Sequence, residues 1–239
     1  MSQGLSFGRA AELYDQIRPT YPPAALEWAL GSAPLRVIDL GAGTGILTRV
    51  ALSLGHDVVP VEPDEAMRRR LSHSTPGVTA LAGSGEAIPV PDASVDAVVA
   101  GQSYHWFDPD RAHREIARVV RPGGVFAPIW NIRDDSEPWV AELSRIAEGA
   151  EAAGSGVHEG WIDHDFGPEF GPVERALFPH SVELTADQLV QLIASRSYYL
   201  TATPEKQAEI EAAVRDLAAG LPETFPLPYV TVTYRSTRR

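Results

Sequence analysis

The chain reads Arg36-Val37-Ile38-Asp39-Leu40-Gly41-Ala42-Gly43-Thr44-Gly45, an apolar strand that runs into three glycines within five residues. Glycine is needed where the backbone takes a positive φ, or where a ligand approaches closer than a Cβ allows. A helix over about 45–54, ending at Gly55, is predicted to follow. This succession of strand, turn and helix predicts a nucleotide-binding loop, although a tight turn without a ligand would use some of the same glycines.

The details of the turn favour adenosine without a phosphate over a dinucleotide. A dinucleotide-binding turn ends on a small residue, G-x-G-x-x-G/A, where this chain has Ile46. Asp39 would repel phosphate oxygens but would attract a ligand that carries ammonium and sulfonium charges. A second apolar run, 57–61, ends in Glu62, seventeen residues beyond Gly45, where an acid can accept both ribose hydroxyls. Alternatively, Glu62 only flanks the next helix.

The chain resembles the class I S-adenosylmethionine-dependent methyltransferases in four motifs that occur in the family's order. Motif I is similar to Val37–Gly45, and the acid at the end of the second strand is similar to Glu62. Gly83-Ser84-Gly85-Glu86-Ala87-Ile88-Pro89-Val90-Pro91-Asp92 resembles the adenine-side loop, 95–100 the fourth strand, and Arg121-Pro122-Gly123-Gly124-Val125-Phe126 the turn into the fifth. Over about 35–130, the resemblance implies a doubly wound, Rossmann-like α/β fold. It implies a mostly parallel seven-strand sheet with an antiparallel hairpin edge, helices on both faces and a small helical lid.

The same resemblance implies S-adenosylmethionine as cofactor and S-adenosylhomocysteine as product. The cofactor-binding residues that it implies are Asp39, Gly41, Gly43, Gly45, Glu62, Ser84, Gly85, Glu86 and Gln102. Many relatives have an aspartate where this chain has Ser84. The Ser84 hydroxyl and the backbone of Gly85 and Glu86 would then contact the adenine amine, unless this loop is a plain surface turn.

Gly101-Gln102-Ser103-Tyr104-His105-Trp106-Phe107-Asp108 resembles the Q-x-x-H-W-F-D segment of a small-molecule branch that includes trans-aconitate methyltransferase-like proteins. His105 follows the fourth strand, at the end where doubly wound sheets place ligands, and imidazole titrates near neutrality. We predict that His105 deprotonates or orients the acceptor, while Gln102 and Trp106 shape the pocket. The alternative is that His105 and Trp106 pack between strand and helix.

An N-terminal pattern of Phe7, Tyr14, Arg18-Pro19 and Tyr21-Pro22 is similar to that branch too. Tyr14, a second catalytic candidate, would lie near the methionine moiety of the cofactor, and Arg18 would face a carboxylate. Alternatively, Tyr14 is a half-buried anchor and Arg18 pairs with a nearby acid at the surface. The predicted acceptor pocket contains Arg18, Tyr104, Trp106, Trp130 and Arg133. Asn131, Trp139, Trp161 and Phe166 would add to its walls or form the core of the lid.

Composition restricts the remaining possibilities. With 239 residues, 44% of them hydrophobic, the chain can bury one full core. We predict a single domain over 1–239, with 1–31 and the insertion 131–170 as lid. The absence of cysteine excludes disulfides, thiolate metal sites and thiol catalysis. A net charge of −12 disfavours a nucleic acid as partner. With no long apolar run and no basic leader near the N-terminus, we expect a cytoplasmic protein without membrane association, as monomer or homodimer.

The C-terminal half offers less explicit chemistry. His158 and His164 lie near two aspartates, but their spacing is not H-E-x-x-H, so a solvated loop is favoured and no metal is predicted. We predict a helix from Pro138, a strand over 173–184 and a helix opened by a Thr185–Gln188 capping box. A further helix from Thr203-Pro204 to 219 and a last strand over 229–234 complete the chain.

The predicted function is methyl transfer to oxygen, nitrogen or carbon of a small molecule, of secondary-metabolite, carboxylate or phenol type. A tricarboxylate acceptor would want several basic residues, and the candidates are Arg18, Arg133 and Arg196. Two alternatives stay open. One is a natural-product cyclase or rearrangement enzyme that keeps the cofactor without methyl transfer. The other is a non-enzymatic S-adenosylmethionine-binding protein, which the intact glycines, Asp39 and Glu62 disfavour.

Overall fold

The computed structural model describes residues 18–148 and 165–239. The helices are α1 Pro23–Leu30, α2 Ile46–Ser53, α3 Glu65–Ser74, α4 Pro109–Val119, α5 Pro138–Glu148, α6 Ala186–Ala194, α7 Ser197–Leu200 and α8 Pro204–Ala218. The strands are β1 Arg36–Leu40, β2 Asp57–Val61, β3 Val95–Gly101, β4 Val120–Arg133, β5 Glu174–Leu184 and β6 Phe225–Thr237. The predictions for Tyr14, His158, Trp161 and His164 lie outside the described residues.

The chain forms two compact units. Within the described ranges, the sheet unit consists of 20–131, 165–178 and 231–239, and the helical unit consists of 18–19, 132–148 and 179–230. The chain passes from one unit to the other along β4, β5 and β6. Each unit has a buried apolar core of its own.

The sheet has the α/β arrangement that the motifs predict. Its strand order is β2-β1-β3-β4-β6-β5, and β1 pairs in parallel with both β2 and β3. β3 pairs in parallel with β4. Because the carboxyl ends of parallel neighbours meet at one edge, the residues that follow β1, β2 and β3 come together there.

The described residues form six strands, one fewer than the seven expected. The position beside β2 holds only a parallel bridge between Val61 and Leu81. The Leu81 N–H donates to the Pro60 carbonyl at 2.8 Å, and the Leu81 carbonyl accepts from the Glu62 N–H at 3.0 Å. The next residues turn away, because Ser84 and Ala87 bond to each other's backbone instead of to β2. The pairing is therefore too short to make a strand.

The core of the sheet unit follows from the alternation of side chains along its strands. On one face, Leu26 of α1 and Leu47 of α2 pack in the same cluster as Val37, Val99 and other strand residues. Residues of the opposite parity, such as Ile38 and Val98, are also fully buried. A strand that is buried on both faces reads as a continuous apolar run, which is the pattern seen in the sequence.

Side-chain caps mark the beginnings of two helices, one of which is the capping box predicted from the sequence. Asp64 accepts a hydrogen bond from the Met67 N–H at the start of α3, and Thr185 and Gln188 form the complete capping box of α6. α6 and α8 belong to the helical unit, whose core includes Leu189, Ile193 and Val214. The capping residues thus determine where α3 and α6 begin. The apolar core of the helical unit then holds α6 against α8.

Candidate active site

Three glycines of the turn after β1 have left-handed backbones. Their φ values are +70° at Gly41, +55° at Gly43 and +87° at Gly45. A Cβ on Gly41 would lie 2.5 Å from the Cβ of Ser103, and one on Gly45 would lie 2.9 Å from Cγ of Leu71. A Cβ on Gly43 would meet nothing within 4 Å. Packing therefore requires Gly41 and Gly45, whereas the side of Gly43 is open to a ligand.

Asp39 is a buried carboxyl group with one satisfied oxygen. Its Oδ2 accepts from the Thr48 hydroxyl at 2.6 Å, and its Oδ1 has no hydrogen-bond partner among the described residues. Burial raises the pKa of Asp39 from 3.8 to about 7; hydrogen bonds from Thr48 lower it, and the charge of Glu62 raises it further. A positive charge beside Oδ1 would favour the ionised form. Asp39 therefore has the free acceptor and the burial expected of a cation-binding carboxylate.

Glu62 follows β2 and holds two loops through its carboxylate. Its Oε2 accepts from the Gly43 N–H and its Oε1 from the Asp64 N–H, each at 2.9 Å. The Glu62 side chain is thereby tied directly to the glycine turn, which makes it more than an acid that flanks α3. Each carboxylate oxygen can accept more than one hydrogen bond, so these contacts leave acceptor capacity for a diol.

The loop after Leu81 is shaped by glycines and by contacts within the loop. A Cβ on Gly85 would lie 2.7 Å from the Phe107 ring, so the aromatic ring itself requires glycine there. Glu86 accepts from the Asp108 N–H at 2.9 Å. Desolvation would raise the pKa of Glu86, but this bond and one from the Ser84 hydroxyl outweigh it and lower the pKa. An open cavity of about 570 Å³ lies beside Gly83, Ser84 and Pro63.

Gln102, at the carboxyl end of β3, has an unusual backbone for a residue with a side chain. Its φ is +55°, which costs on the order of 1–3 kcal/mol in a non-glycine residue. Its N–H donates to the Ile129 carbonyl at 2.9 Å, and its side-chain amide donates to the Asn131 carbonyl at 3.0 Å. Two hydrogen bonds to β4 thus hold a strained residue at the edge of the sheet where the glycine turn after β1 lies.

The 3₁₀ turn Tyr104–Trp106 directs three aromatic side chains differently. The Tyr104 hydroxyl lies 2.8 Å from Nε2 of His113, and the two rings stack. Burial and the charge of Asp165 raise the pKa of Tyr104 to about 12. Trp106 is 74% exposed, so it is available to a ligand at the surface. Tyr104, by contrast, is engaged in an aromatic cluster.

His105 contacts a second tryptophan. The indole N–H of Trp130, a fully buried residue, donates to Nδ1 of His105 at 3.5 Å. Burial lowers the pKa of His105 below its ordinary value, which favours the neutral imidazole at pH 7. When Nδ1 is the acceptor, the proton of a neutral imidazole lies on Nε2. This geometry favours His105 as a hydrogen-bond donor through Nε2.

The two predicted arginines of the acceptor pocket belong to the helical unit. Arg18 donates to the Ser195 hydroxyl at 3.2 Å and to the Ser195 carbonyl at 3.0 Å. Arg133 is buried and donates to the Ser144 hydroxyl at 3.2 Å, which in turn donates to Asp135 at 2.9 Å. Tyr104, Trp106 and Trp130, the other residues predicted for the pocket, lie in the sheet unit.

Two side chains that organise the turn were not predicted from the sequence. Thr48 of α2 donates to Asp39, and Ser103 donates to the Leu40 carbonyl at 2.7 Å. A threonine on the apolar face of a predicted helix is a signal that could have identified Thr48, since a buried hydroxyl needs a partner. Ser103 offered no comparable signal, because its partner is a backbone carbonyl 63 residues earlier in the chain.

Nowhere in 18–148 or 165–239 do three or more metal-ligating side chains gather. None of the helices in those ranges is long and apolar enough to cross a bilayer.

A β-strand with an acid near its carboxyl end, a three-glycine turn and an acid after the adjacent parallel strand are features typical of nucleoside-binding α/β proteins. Comparison of the chain with known proteins identifies the family to which it belongs. A family model described as a methyltransferase domain matches residues 38–127. An uncharacterized methyltransferase of Mycobacterium tuberculosis (strain ATCC 25618 / H37Rv) is 43% identical over 239 residues, which cover 98% of this chain and 96% of that protein. The chain belongs to the class I S-adenosylmethionine-dependent methyltransferases.

Two further relatives agree with this assignment. The structure of a candidate type II methyltransferase from Anaeromyxobacter dehalogenans superposes with a TM-score of 0.64 at 27% identity, covering 92% of this chain and 97% of that one. A malonyl-[acyl-carrier protein] O-methyltransferase of Methylococcus capsulatus (strain Bath) is 35% identical over 141 residues, or 52% of this chain and 49% of that protein. The methyltransferase fold and the enzyme class are thereby established, and S-adenosylmethionine is the cofactor of the family.

Proposed function

We propose that the enzyme transfers the methyl group of S-adenosylmethionine to a small-molecule acceptor, and that the edge formed by β1, β2 and β3 binds the cofactor. The single observation that carries the proposal is the combination of an open Gly43 with two buried carboxyl groups, Asp39 near the end of β1 and Glu62 directly after β2. When bound, the cofactor supplies an electrophilic methyl group on a sulfonium whose leaving group is a neutral thioether. The chain has only to bind, orient and desolvate around that methyl group.

Asp39, Glu62 and Gly43 each fit a different part of such a cofactor. The unpartnered Oδ1 of Asp39 suits the positively charged amino acid end, because a buried acceptor without a donor costs about 1–3 kcal/mol until it is satisfied. Glu62 suits the ribose hydroxyls, since its two oxygens lie between the Gly43 and Asp64 amides. The open side of Gly43 allows the backbone to approach the ligand closely. The cavity beside Ser84 is a candidate for the adenine.

Calorimetric titration with S-adenosylmethionine and S-adenosylhomocysteine tests the proposed site. We expect the wild-type enzyme to bind both ligands with micromolar affinity and Glu62→Ala to bind them at least about 100-fold more weakly, because two charge-assisted acceptors are lost. Glu65→Ala, an exposed acid on α3, is the matched control and should bind as the wild type does. Equal affinity in Glu62→Ala and Glu65→Ala would contradict the placement of the ribose.

For the acceptor, we propose that His105 orients it by donating a hydrogen bond from Nε2 and does not remove a proton from it. The indole N–H of Trp130 at Nδ1 supports this choice, and so does the lowered pKa of His105. An acceptor that is already anionic at neutral pH, such as a carboxylate, needs no base. The O-methyltransferase named above acts on an acyl carrier protein whose malonyl group carries a carboxylate, which is consistent with such chemistry.

Two substitutions of His105 distinguish a donor from a base. The amide of Gln can place an N–H near the position of Nε2, but it cannot accept a proton at neutral pH. We expect His105→Gln to keep turnover within about 10-fold of the wild type and His105→Leu to lose considerably more. A general base contributes typically about 10²–10⁴-fold, so equal losses of that size in both variants would contradict the donor role. Turnover is measured as S-adenosylhomocysteine formed, with cofactor binding checked in each variant.

A further inference from the structure

Arg196 occupies a hydrogen-bonded turn in the helical unit. It follows the end of α6, and its N–H donates to the Ile193 carbonyl at 3.0 Å. Its own carbonyl accepts from the Leu200 N–H at 3.0 Å, which joins the turn to α7. The backbone of Arg196 is thus fixed on both sides, and its side chain starts from a defined position.

The guanidinium group of Arg196 lacks the partners that such groups normally have. Its Nε is buried without a hydrogen-bond partner, and within the described part of the chain its side chain makes no ion pair. The other arginines described in this unit all have partners: Arg18 with Ser195, Arg133 with Ser144, Arg145 with Glu142 and Arg215 with Asp187. Arg196 as a whole is only partly buried, so part of the residue is in contact with solvent.

This arrangement is unfavourable for folding alone. A buried N–H without an acceptor costs about 1–3 kcal/mol, and Nε of Arg196 is such a donor. A positive charge near the C-terminal end of α6 has a structural explanation of its own, because it compensates the helix dipole. Arg18 already serves that purpose, since it donates to the Ser195 carbonyl at 3.0 Å. Compensation of the helix dipole therefore explains Arg18 but does not explain why Arg196 is placed at the same turn.

We propose that Arg196 binds an oxyanion, a carboxylate or a phosphate group of a small ligand, with Arg18 as the second positive charge at the same turn. A planar guanidinium matches the two oxygens of such a group with parallel N–H donors, and the pair is stronger than a neutral hydrogen bond. Two positive charges at one turn differ in sign from the chain as a whole, whose net charge is −12. It lies wholly within the helical unit, and the inference does not depend on the proposed placement of S-adenosylmethionine.

The test compares Arg196→Met with Arg145→Met, which also removes one positive charge from the helical unit. Succinate and inorganic phosphate are titrated into each protein by calorimetry at constant ionic strength, with chloride as the non-binding reference. We expect the wild type and Arg145→Met to bind at least one of the two oxyanions, and Arg196→Met to bind it at least about 10-fold more weakly. The preferred probe identifies whether the site takes a carboxylate or a phosphate.

Thermal unfolding of the same proteins separates binding from structure. Because Arg196 leaves a buried donor unsatisfied, we expect Arg196→Met to unfold at the same temperature as the wild type or higher in the absence of oxyanions. Saturating oxyanion should raise the unfolding temperature of the wild type and of Arg145→Met only. A lower unfolding temperature for Arg196→Met with unchanged affinity, or no binding of either oxyanion to the wild type, would overturn the proposal. Titration with S-adenosylmethionine should give the same affinity in all three proteins.

Discussion

Replacing Asp39 with asparagine is expected to remove about 4 kcal/mol of pH dependence from the stability of the enzyme. In the folded protein, burial raises the pKa of Asp39 to about 7, whereas its ordinary value is 3.8. Between these values the folded state holds a proton that the unfolded state has released. The contribution of Asp39 to the free energy of unfolding therefore falls by about 1.4 kcal/mol per pH unit as the pH rises from about 4 to about 7, and it is constant above that range.

Asparagine at position 39 does not titrate. The stability of Asp39→Asn relative to the wild type should therefore rise as the pH rises from about 4 to about 7. Denaturant unfolding at several pH values between about 4 and about 8 measures the difference, and Asp57→Asn, at an exposed position on β2, is the control. A wild-type minus variant difference that stays the same at every pH would show that Asp39 is ionised in the folded protein throughout.

The same variant should bind the cofactor poorly while it folds well. The proposed partner of Oδ1 is a positive charge, and an amide would meet it with a dipole in place of a full charge. A hydrogen bond between charged groups contributes about 1.5–3 kcal/mol, so we expect S-adenosylmethionine to bind about 10–100-fold more weakly. Stability gained above neutral pH together with affinity lost is the pattern expected when a buried carboxylate is kept for a ligand.

Alanine at Gly43 is expected to reduce cofactor binding by more than about 100-fold and to leave the protein folded. The left-handed backbone of Gly43 makes alanine cost about 1–2 kcal/mol, but its Cβ would meet no atom within 4 Å. The loss of binding would come from a methyl group on the surface that the cofactor has to approach. Titration with S-adenosylhomocysteine, beside circular dichroism of the free protein, measures both properties.

Two other glycines serve as controls for this variant. Gly77 lies in the turn after α3, has a φ of +87° and would also place a Cβ more than 4 Å from any atom. Gly77→Ala therefore introduces the same kind of backbone strain away from the proposed site, and this variant should bind the cofactor as the wild type does. Gly41→Ala would place its Cβ 2.5 Å from Ser103, so it should lower the unfolding temperature more than either other variant. Unchanged affinity in Gly43→Ala would mean that the open side of the turn does not face the cofactor.

Local sequence is a reliable guide wherever one residue or one short motif decides the structure. Asp64 and Thr185 begin their helices because a side-chain oxygen satisfies an N–H three residues away, and that interaction needs no distant partner. Gly41, Gly43 and Gly45 have the positive φ values that the turn requires. The parallel sheet follows from short apolar runs that alternate with helices, since strands buried on both faces need such runs.

Distant packing decides the details that local patterns do not encode. The motif assigns Gly85 to a ligand, whereas the Phe107 ring requires a glycine there whether or not a ligand binds. The predicted acceptor pocket includes Tyr104, yet the hydroxyl of this residue lies 2.8 Å from His113. The expected seventh strand is reduced to one bridge at Leu81, because the residues after it bond within their own loop.

The sequence by itself determined the class of fold and the glycine turn with an acid after each of two neighbouring apolar runs, because glycine geometry and strand periodicity are properties of neighbouring residues. Only the tertiary structure decided which buried polar atoms are left without partners among the described residues, and Oδ1 of Asp39 and Nε of Arg196 are two of them. A hydrogen bond depends on groups that the fold brings together from far apart in the chain. The absence of a bond can therefore be recognised only after every neighbour has been placed.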